Sequence, residues 1–218
     1  MFIHDNSIVI PDLECITTDV DRKYYTPEGK SYPSITHVLG SIGGEWLVAW
    51  RERVGAKEAD RIGRQAALHG TKVHEIAEDY INNKPIDVSR EMPLVQCVFA
   101  ALKIGLSRLT KVYAQEVAMY SDHLQVAGRV DVVGEYDGER SIIDFKTSKR
   151  IKSKESIGGY WKQATAYAIM YEERTGIPIT QLVIIMLVEG DNKPLVYKSH
   201  RDKWAKALLA DIKTFESK

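Results

Sequence analysis

The chain has 218 residues, 44% of them hydrophobic and 28% charged, a balance far from disordered or fibrous proteins and sufficient for one substantial core. Its formal charge is zero and its pI is near 7.0, so any polyanionic partner would have to be met by local basicity. Two cysteines, Cys15 and Cys97, exclude a disulfide framework and an iron–sulfur or zinc cluster; with no long apolar run and no secretory pattern in MFIHDNSIVIPDLE, a reducing, cytoplasmic setting away from membranes is expected.

In chain order, residues 1–32 read as an irregular segment, with short strands allowed at 7–10. From Pro33 the pattern turns helical. Ser34 can cap a short helix, and EWLVAWRERV repeats apolar residues at helical spacing, placing Trp46 and Trp50 on one face as core residues or as platforms for exposed bases. A longer helix is predicted over 57–81, ended by Asn82 and Asn83, and another over 90–109. After Thr110 the period changes. KVYAQEVAMY, LQVAGRVDVVGEY and RSIIDFKTS read as strands, and SIGGYWKQATAYAIMYEERTG as a helix that closes at Gly176. ITQLVIIMLVEG is a buried strand, KPLVYKSH its partner, and a last helix runs from 201 to the end. The order, helices followed by βββαββα, predicts an α/β fold with a mixed sheet covered by helices. Residues 1–218 are expected to form a single domain, with a helical region over 33–109 and an α/β core over 110–218.

The informative turn is Tyr136-Asp137-Gly138-Glu139, because Asp-Gly between strands favours a two-residue type I′ hairpin. If Tyr136 pairs with Glu139, counting back along both strands puts Asp131 opposite Asp144, with Cβ atoms roughly 5 Å apart on one face. Like charges there repel. Lys146, two residues after Asp144, shares that face by strand alternation, so two carboxylates and an ammonium converge. A hard divalent cation, magnesium first, relieves the repulsion and takes carboxylate oxygens as ligands. A lysine beside it can position or deprotonate a water while the cation polarises a phosphoryl oxygen, which is the chemistry of phosphodiester hydrolysis. A solvated hairpin carrying an ordinary salt bridge is the plain alternative, but Ile142 and Ile143 directly precede the charges where a surface strand would alternate.

Two other patterns carry no chemistry. His74-Glu75-x-x-Glu78 lacks the second histidine of a zinc helix, and Gly40, Gly43 and Gly44 lead into Glu45 and Trp46 rather than the Lys-Ser/Thr of a phosphate loop.

The stretch GRVDVVGEYDGERSIIDFKTSK resembles the motif core of the PD-(D/E)XK, or restriction-endonuclease-like, nucleases, in particular the RecB-like branch that includes the mitochondrial genome maintenance exonucleases. PSITHVL, HGTKVHEIAEDYI, EVAMY and YWKQATAY resemble that branch in the expected order, over about 33–190. The resemblance implies Asp131, Asp144 and Lys146 as the catalytic set, and a metal held by His74, Asp131, Asp144 and Phe145. It implies magnesium, replaceable by manganese, and no iron–sulfur cluster. Gln163 and Tyr167, four apart on one helix face, match the Q-x-x-x-Y element that contacts DNA near the scissile phosphate. Glu116 stands where relatives carry an acidic residue, and either steadies the site, serves a second metal or is structural. Lys149, Arg150 and Lys152 follow the catalytic lysine in a basic run suited to phosphate oxygens. The expected function is a metal-dependent DNA exonuclease acting from a free end, with single-stranded DNA preferred. A structure-specific endonuclease and a catalytically silent DNA-binding subunit are the alternatives, and the intact Asp, Asp-x-Lys set argues against the second.

Overall fold

The computed structural model describes residues 1–18, 21–42, 44–89 and 91–217, apart from the side chains of residues 45 and 46. Its N-terminal part is more ordered than the composition suggests. A short strand, β1 (Ile3–His4), is followed by β2 (Glu14–Thr17), β3 (Arg22–Tyr25) and β4 (Ser31–Pro33), and the last three form a small antiparallel sheet. Residues 7–10, expected as strand, are not; the edge position is taken instead by Ile3 and His4, which pair in parallel with Lys111 and Val112. The segment expected to be irregular orders because Leu13, Tyr24 and Tyr32 bury themselves against Ala118, Tyr120 and Ala127, contacts distant in sequence that no local pattern announces.

Helices follow as the spacing predicts: α1 (Ile35–Ile42), α2 (Glu45–Val54), α3 (Ala56–Ile81) and α4 (Pro93–Gly105). Ser34 sits at the entry to α1, its carbonyl accepting from the Val38 amide and its hydroxyl bonded to that of Thr36 at 2.7 Å. Asn83 adopts φ +58° just beyond α3 and stops it. Residue 90, the expected start of the next helix, lies outside the described residues. That helix ends at Gly105, earlier than predicted, in a 3₁₀ turn over Leu106–Arg108 that leads into a strand at Leu109. Trp50 is half-buried rather than core, since α2 packs chiefly on α3; Trp46, its expected companion in the core, is among the side chains not described.

The central sheet has six strands in the order β1-β5-β6-β7-β8-β9, with β5 (Leu109–Ser121), β6 (Val126–Tyr136), β7 (Glu139–Ser148), β8 (Gln181–Val188) and β9 (Leu195–His200). It is mixed: β7 and β8 are parallel, joined by α5 (Gly158–Thr175), and the chain closes with α6 (Asp202–Glu216). Gly176 caps α5 in the left-handed conformation, φ +72°, donating its N–H to Glu172. Alternation along β8 sends Leu182, Ile184 and Met186 to the face covered by α5 and α6, and Val183, Ile185 and Leu187 to the face covered by α3 and α4. The sheet is therefore the middle of three layers. Among the described residues no helix is long and apolar enough to cross a membrane.

The Asp-Gly hairpin has the predicted geometry. Asp137 and Gly138 both take positive φ, +55° and +80°, and pairing runs from Tyr136–Glu139 to Val132–Ile143. Beyond that pair the two strands no longer pair, and the opening lies at Asp131 and Asp144.

Candidate active site

At that opening a side chain takes the place of the ladder. The Phe145 N–H, whose partner would otherwise lie on β6, donates to Asp131 Oδ2 at 2.7 Å. Asp131 is thereby fixed at the end of the hairpin, and its other oxygen, Oδ1, lies 3.6 Å from Nδ1 of His74 on α3. Glu116 Oε1 stands 3.9 Å from the same nitrogen. At those separations the imidazole is a charge neighbour and not a hydrogen-bond partner.

Glu116 reaches this place at a cost. It lies opposite Asp131, between the pairs Gln115–Val132 and Val117–Val130, with φ +50° in the middle of a strand. A non-glycine residue there stores about 1–3 kcal/mol of strain, and Arg129 secures it by donating to the Glu116 carbonyl.

Asp144 is fully buried, and its two oxygens meet different partners. Oδ1 accepts from the Gln163 amide of α5 at 3.1 Å. Oδ2 lies 2.6 Å from the Lys146 ammonium, yet no donor is aligned to hydrogen-bond it, so the contact is an ion pair that leaves lone-pair capacity unused. Lys146 is 18% exposed and also lies over the Tyr160 ring at 5.3 Å.

The charges respond to this crowding. Burial, and then the charge of Asp144, push the Asp131 carboxyl well above the usual carboxylate range. Burial alone would push His74 down, but Glu116, Asp131 and Asp144 outweigh it and carry the imidazole up to about 9. Lys146 behaves alike: burial opposes its charge, and Asp144 with Asp131 more than restores it. His74 and Lys146 thus face the carboxylates as their charge partners, and His74 would release its proton to offer a nitrogen to a metal.

The donor set fits a divalent metal. His74, Glu116 and Asp131 each offer one ligand atom, all within 4.8 Å of one another, and a buried carboxylate oxygen without an aligned donor lies on the neighbouring strand. Asp144 stands outside that trio, turned to Gln163 and Lys146. Phe145 could contribute only its carbonyl, because its side chain has no donor atom; its ring lies edge-on to the His74 imidazole, 6.1 Å between centroids.

His74, Glu116, Asp131 and Lys146 open into a cleft of about 560 Å³, with Asp144 buried behind Lys146 and Gln163. One wall is α3, through Gly70, Thr71, His74, Glu75 and Glu78; the other is the small sheet and α1, through Arg22, Tyr24, Ser34 and Thr36, with Arg129 beside them. Gln163 and Tyr167 line it, on the one helix face that their spacing implies. Lys149, Arg150 and Lys152 do not: Lys149 lies beside Leu68 and His69 of α3, Arg150 is exposed, and Lys152 donates to the Tyr160 hydroxyl at 2.9 Å. Arg22 and Arg129 were not singled out from sequence. Arg129 could have been, since it shares a strand face with Asp131 two residues on; Arg22 could not, because its position depends on the unpredicted small sheet.

One comparison decides the family. The sequence model of the PD-(D/E)XK nuclease superfamily matches residues 95–214, more than half the chain and the stretch that carries Glu116, Asp131, Asp144, Lys146, Gln163 and Tyr167. This chain belongs to the PD-(D/E)XK nuclease superfamily. The superfamily is one of nucleases that use divalent metals, and the donor trio has the chemistry such an ion takes. Among solved structures, this PD-(D/E)XK chain is similar to a candidate exonuclease from Eubacterium rectale over 69% of its own length, with TM-score 0.45 and 11% identity. It spans only 65% of that neighbour, and the likeness is too distant to transfer an activity. No curated protein matches it.

Proposed function

We propose that this nuclease is a magnesium-dependent DNA exonuclease that starts at a free end and prefers a single strand. The observation that carries the reading is the meeting, in one cleft, of the His74, Glu116 and Asp131 donor trio with Lys146, which is paired to the buried Asp144 behind it. In this reading His74, Glu116 and Asp131 would hold the cation, with Asp144 completing the acidic surround. The cation, when bound, polarises a phosphoryl oxygen and offsets the charge that develops in hydrolysis.

The chain's own residues supply the rest. Asp144 keeps Lys146 an ammonium and aims it into the cleft, where it orients the attacking water and stabilises charge on the non-bridging oxygens. Asp131 is locked by the Phe145 N–H, so its free oxygen keeps a constant direction. Arg22 and Arg129 supply positive charge for the strand's phosphates on the opposite wall.

A cleft bounded by α3 on one side and the small sheet on the other admits a flexible strand more readily than a stiff duplex, which supports the strand preference. End-labelled linear and covalently closed circular single strands of one sequence, with blunt duplex alongside, test it in magnesium and in excess EDTA. Linear single strand should be degraded fastest and EDTA should stop all cleavage. Equal loss of the closed circle removes end-dependence, equal rates on duplex remove the strand preference, and activity in EDTA removes the metal.

A further inference from the structure

Gly128 lies on β6, three residues before Asp131, with a backbone conformation open to any residue. What keeps it a glycine is space. A Cβ there would lie 2.8 Å from Tyr167 Cε1, 3.1 Å from Ile35 Cγ2 and 3.3 Å from the Tyr167 hydroxyl. The Tyr167 ring is buried and rests directly on this glycine, so its hydroxyl is brought to the Gln163 side-chain amide.

That amide has two hydrogens and uses both. Gln163 Nε2 donates to the Tyr167 hydroxyl at 3.1 Å and to Asp144 Oδ1 at 3.1 Å. A carboxylate can only accept, so the amide must present its nitrogen to Asp144, and the tyrosine oxygen on the other side keeps it from turning. With Oδ1 held in this way, the plane of the Asp144 carboxylate is set and Oδ2 is directed at Lys146, 2.6 Å away.

The geometry points to Gly128 as a positioning residue: the space it leaves seats Tyr167, Tyr167 steadies Gln163, and Gln163 aims the Asp144 carboxylate at Lys146. Gln163 and Tyr167 then act inward on the catalytic pair, whereas the sequence resemblance assigned them to DNA contact. The inference rests on the proposed roles of Asp144 and Lys146, and part of its test does not require cleavage.

In full-length protein, Gly128→Ala should lower kcat about tenfold or more while KM for a single strand stays within twofold, since a small misplacement of a reacting group weakens turnover and not ground-state binding. A double-mutant cycle supplies the readout that a merely structural role would not move. In a Gln163→Ala background, Gly128→Ala should cause no further loss of kcat; losses that multiply independently would overturn the relay. Tyr167→Phe keeps the ring and removes the hydroxyl, and it decides the matter if Gly128→Ala does not fold. It should lower kcat about tenfold with DNA affinity in calcium unchanged, and a tenfold weaker affinity with kcat intact would assign Tyr167 to DNA instead. Finally, the Gln163 side-chain amide, identified by its disappearance in Gln163→Glu, should give two protected proton resonances in the wild type. In Tyr167→Phe and in folded Gly128→Ala they should move toward free-amide positions and exchange faster. Unchanged resonances overturn the proposal whether or not the chain cleaves DNA.

Discussion

The two halves of the chain's longest helix set the lesson. From Ala56 to Gly70, α3 buries only Ala59, and its charges pair along its own surface and with α2, as in Arg61–Glu58 and Arg51–Asp60. From Thr71 onward it buries Val73, Ile76, Ala77 and Ile81, and it carries His74 to the site. The same contrast holds on a larger scale between the exposed α2 with the first half of α3 and the sheet of β6, β7 and β8, which is buried on both faces. The candidate site sits where side chains have little freedom, and the exposed arm, with few buried contacts, is the part of the helix least tied to the core.

The contrast can be broken in four ways, beginning with the largest effect. Asp144→Asn keeps the shape of the side chain and removes the charge that holds Lys146, and it should lower kcat by about 10³-fold or more in a protein whose circular dichroism is unchanged. Turnover within tenfold of wild type would remove Asp144 from the catalytic set. Next is Gly134→Ala in β6, where the new Cβ would lie 2.5 Å from Leu109 Cδ1 and 2.8 Å from the Lys111 carbonyl. Urea unfolding should show a loss of about 2–3 kcal/mol, the cost of forcing a methyl into a filled core.

The same substitution on the exposed arm should have the opposite sign. Gly63 lies inside α3, and a Cβ added there would meet nothing within 4 Å, so Gly63→Ala should raise stability by about 0.5–1 kcal/mol through helix propensity alone. A loss there would mean that the arm packs against something. Smallest is Asp122→Ala. Asp122 gathers Lys30, Tyr32 and Arg174 at 2.7, 2.7 and 3.2 Å, tying the small sheet to α5, but it is 40% exposed. The expected loss in urea unfolding is under about 1 kcal/mol.

The sequence was most readable where one residue pair settles geometry. Asp137-Gly138 determined the hairpin register, and with it the approach of Asp131 to Asp144; Gly176 marked the end of α5, and Asn82 with Asn83 the end of α3. It was least readable where structure comes from distant packing. The strands Glu14–Thr17, Arg22–Tyr25 and Ser31–Pro33 are short, charged and mostly exposed, and only Tyr24 and Tyr32, seated on β5 and β6, reveal why they form. Missing that sheet also meant missing Arg22 as a wall of the cleft. Within the site, the approach of Asp131, Asp144 and Lys146 follows from the hairpin register and His74 was implied only by the family resemblance, while the orientation of Asp144 toward Gln163 and Lys146, and of Glu116 toward His74, depends on atomic placement that spacing does not encode.

Glu116 has a consequence for anyone who would improve this protein in the laboratory. Its left-handed backbone, φ +50°, suits glycine better than glutamate, so Glu116→Gly should gain about 1 kcal/mol of stability while deleting one member of the donor trio. A screen that rewards heat tolerance alone would therefore drift toward a sturdier, disarmed nuclease at this position, and only a screen that also scores cleavage would keep the glutamate.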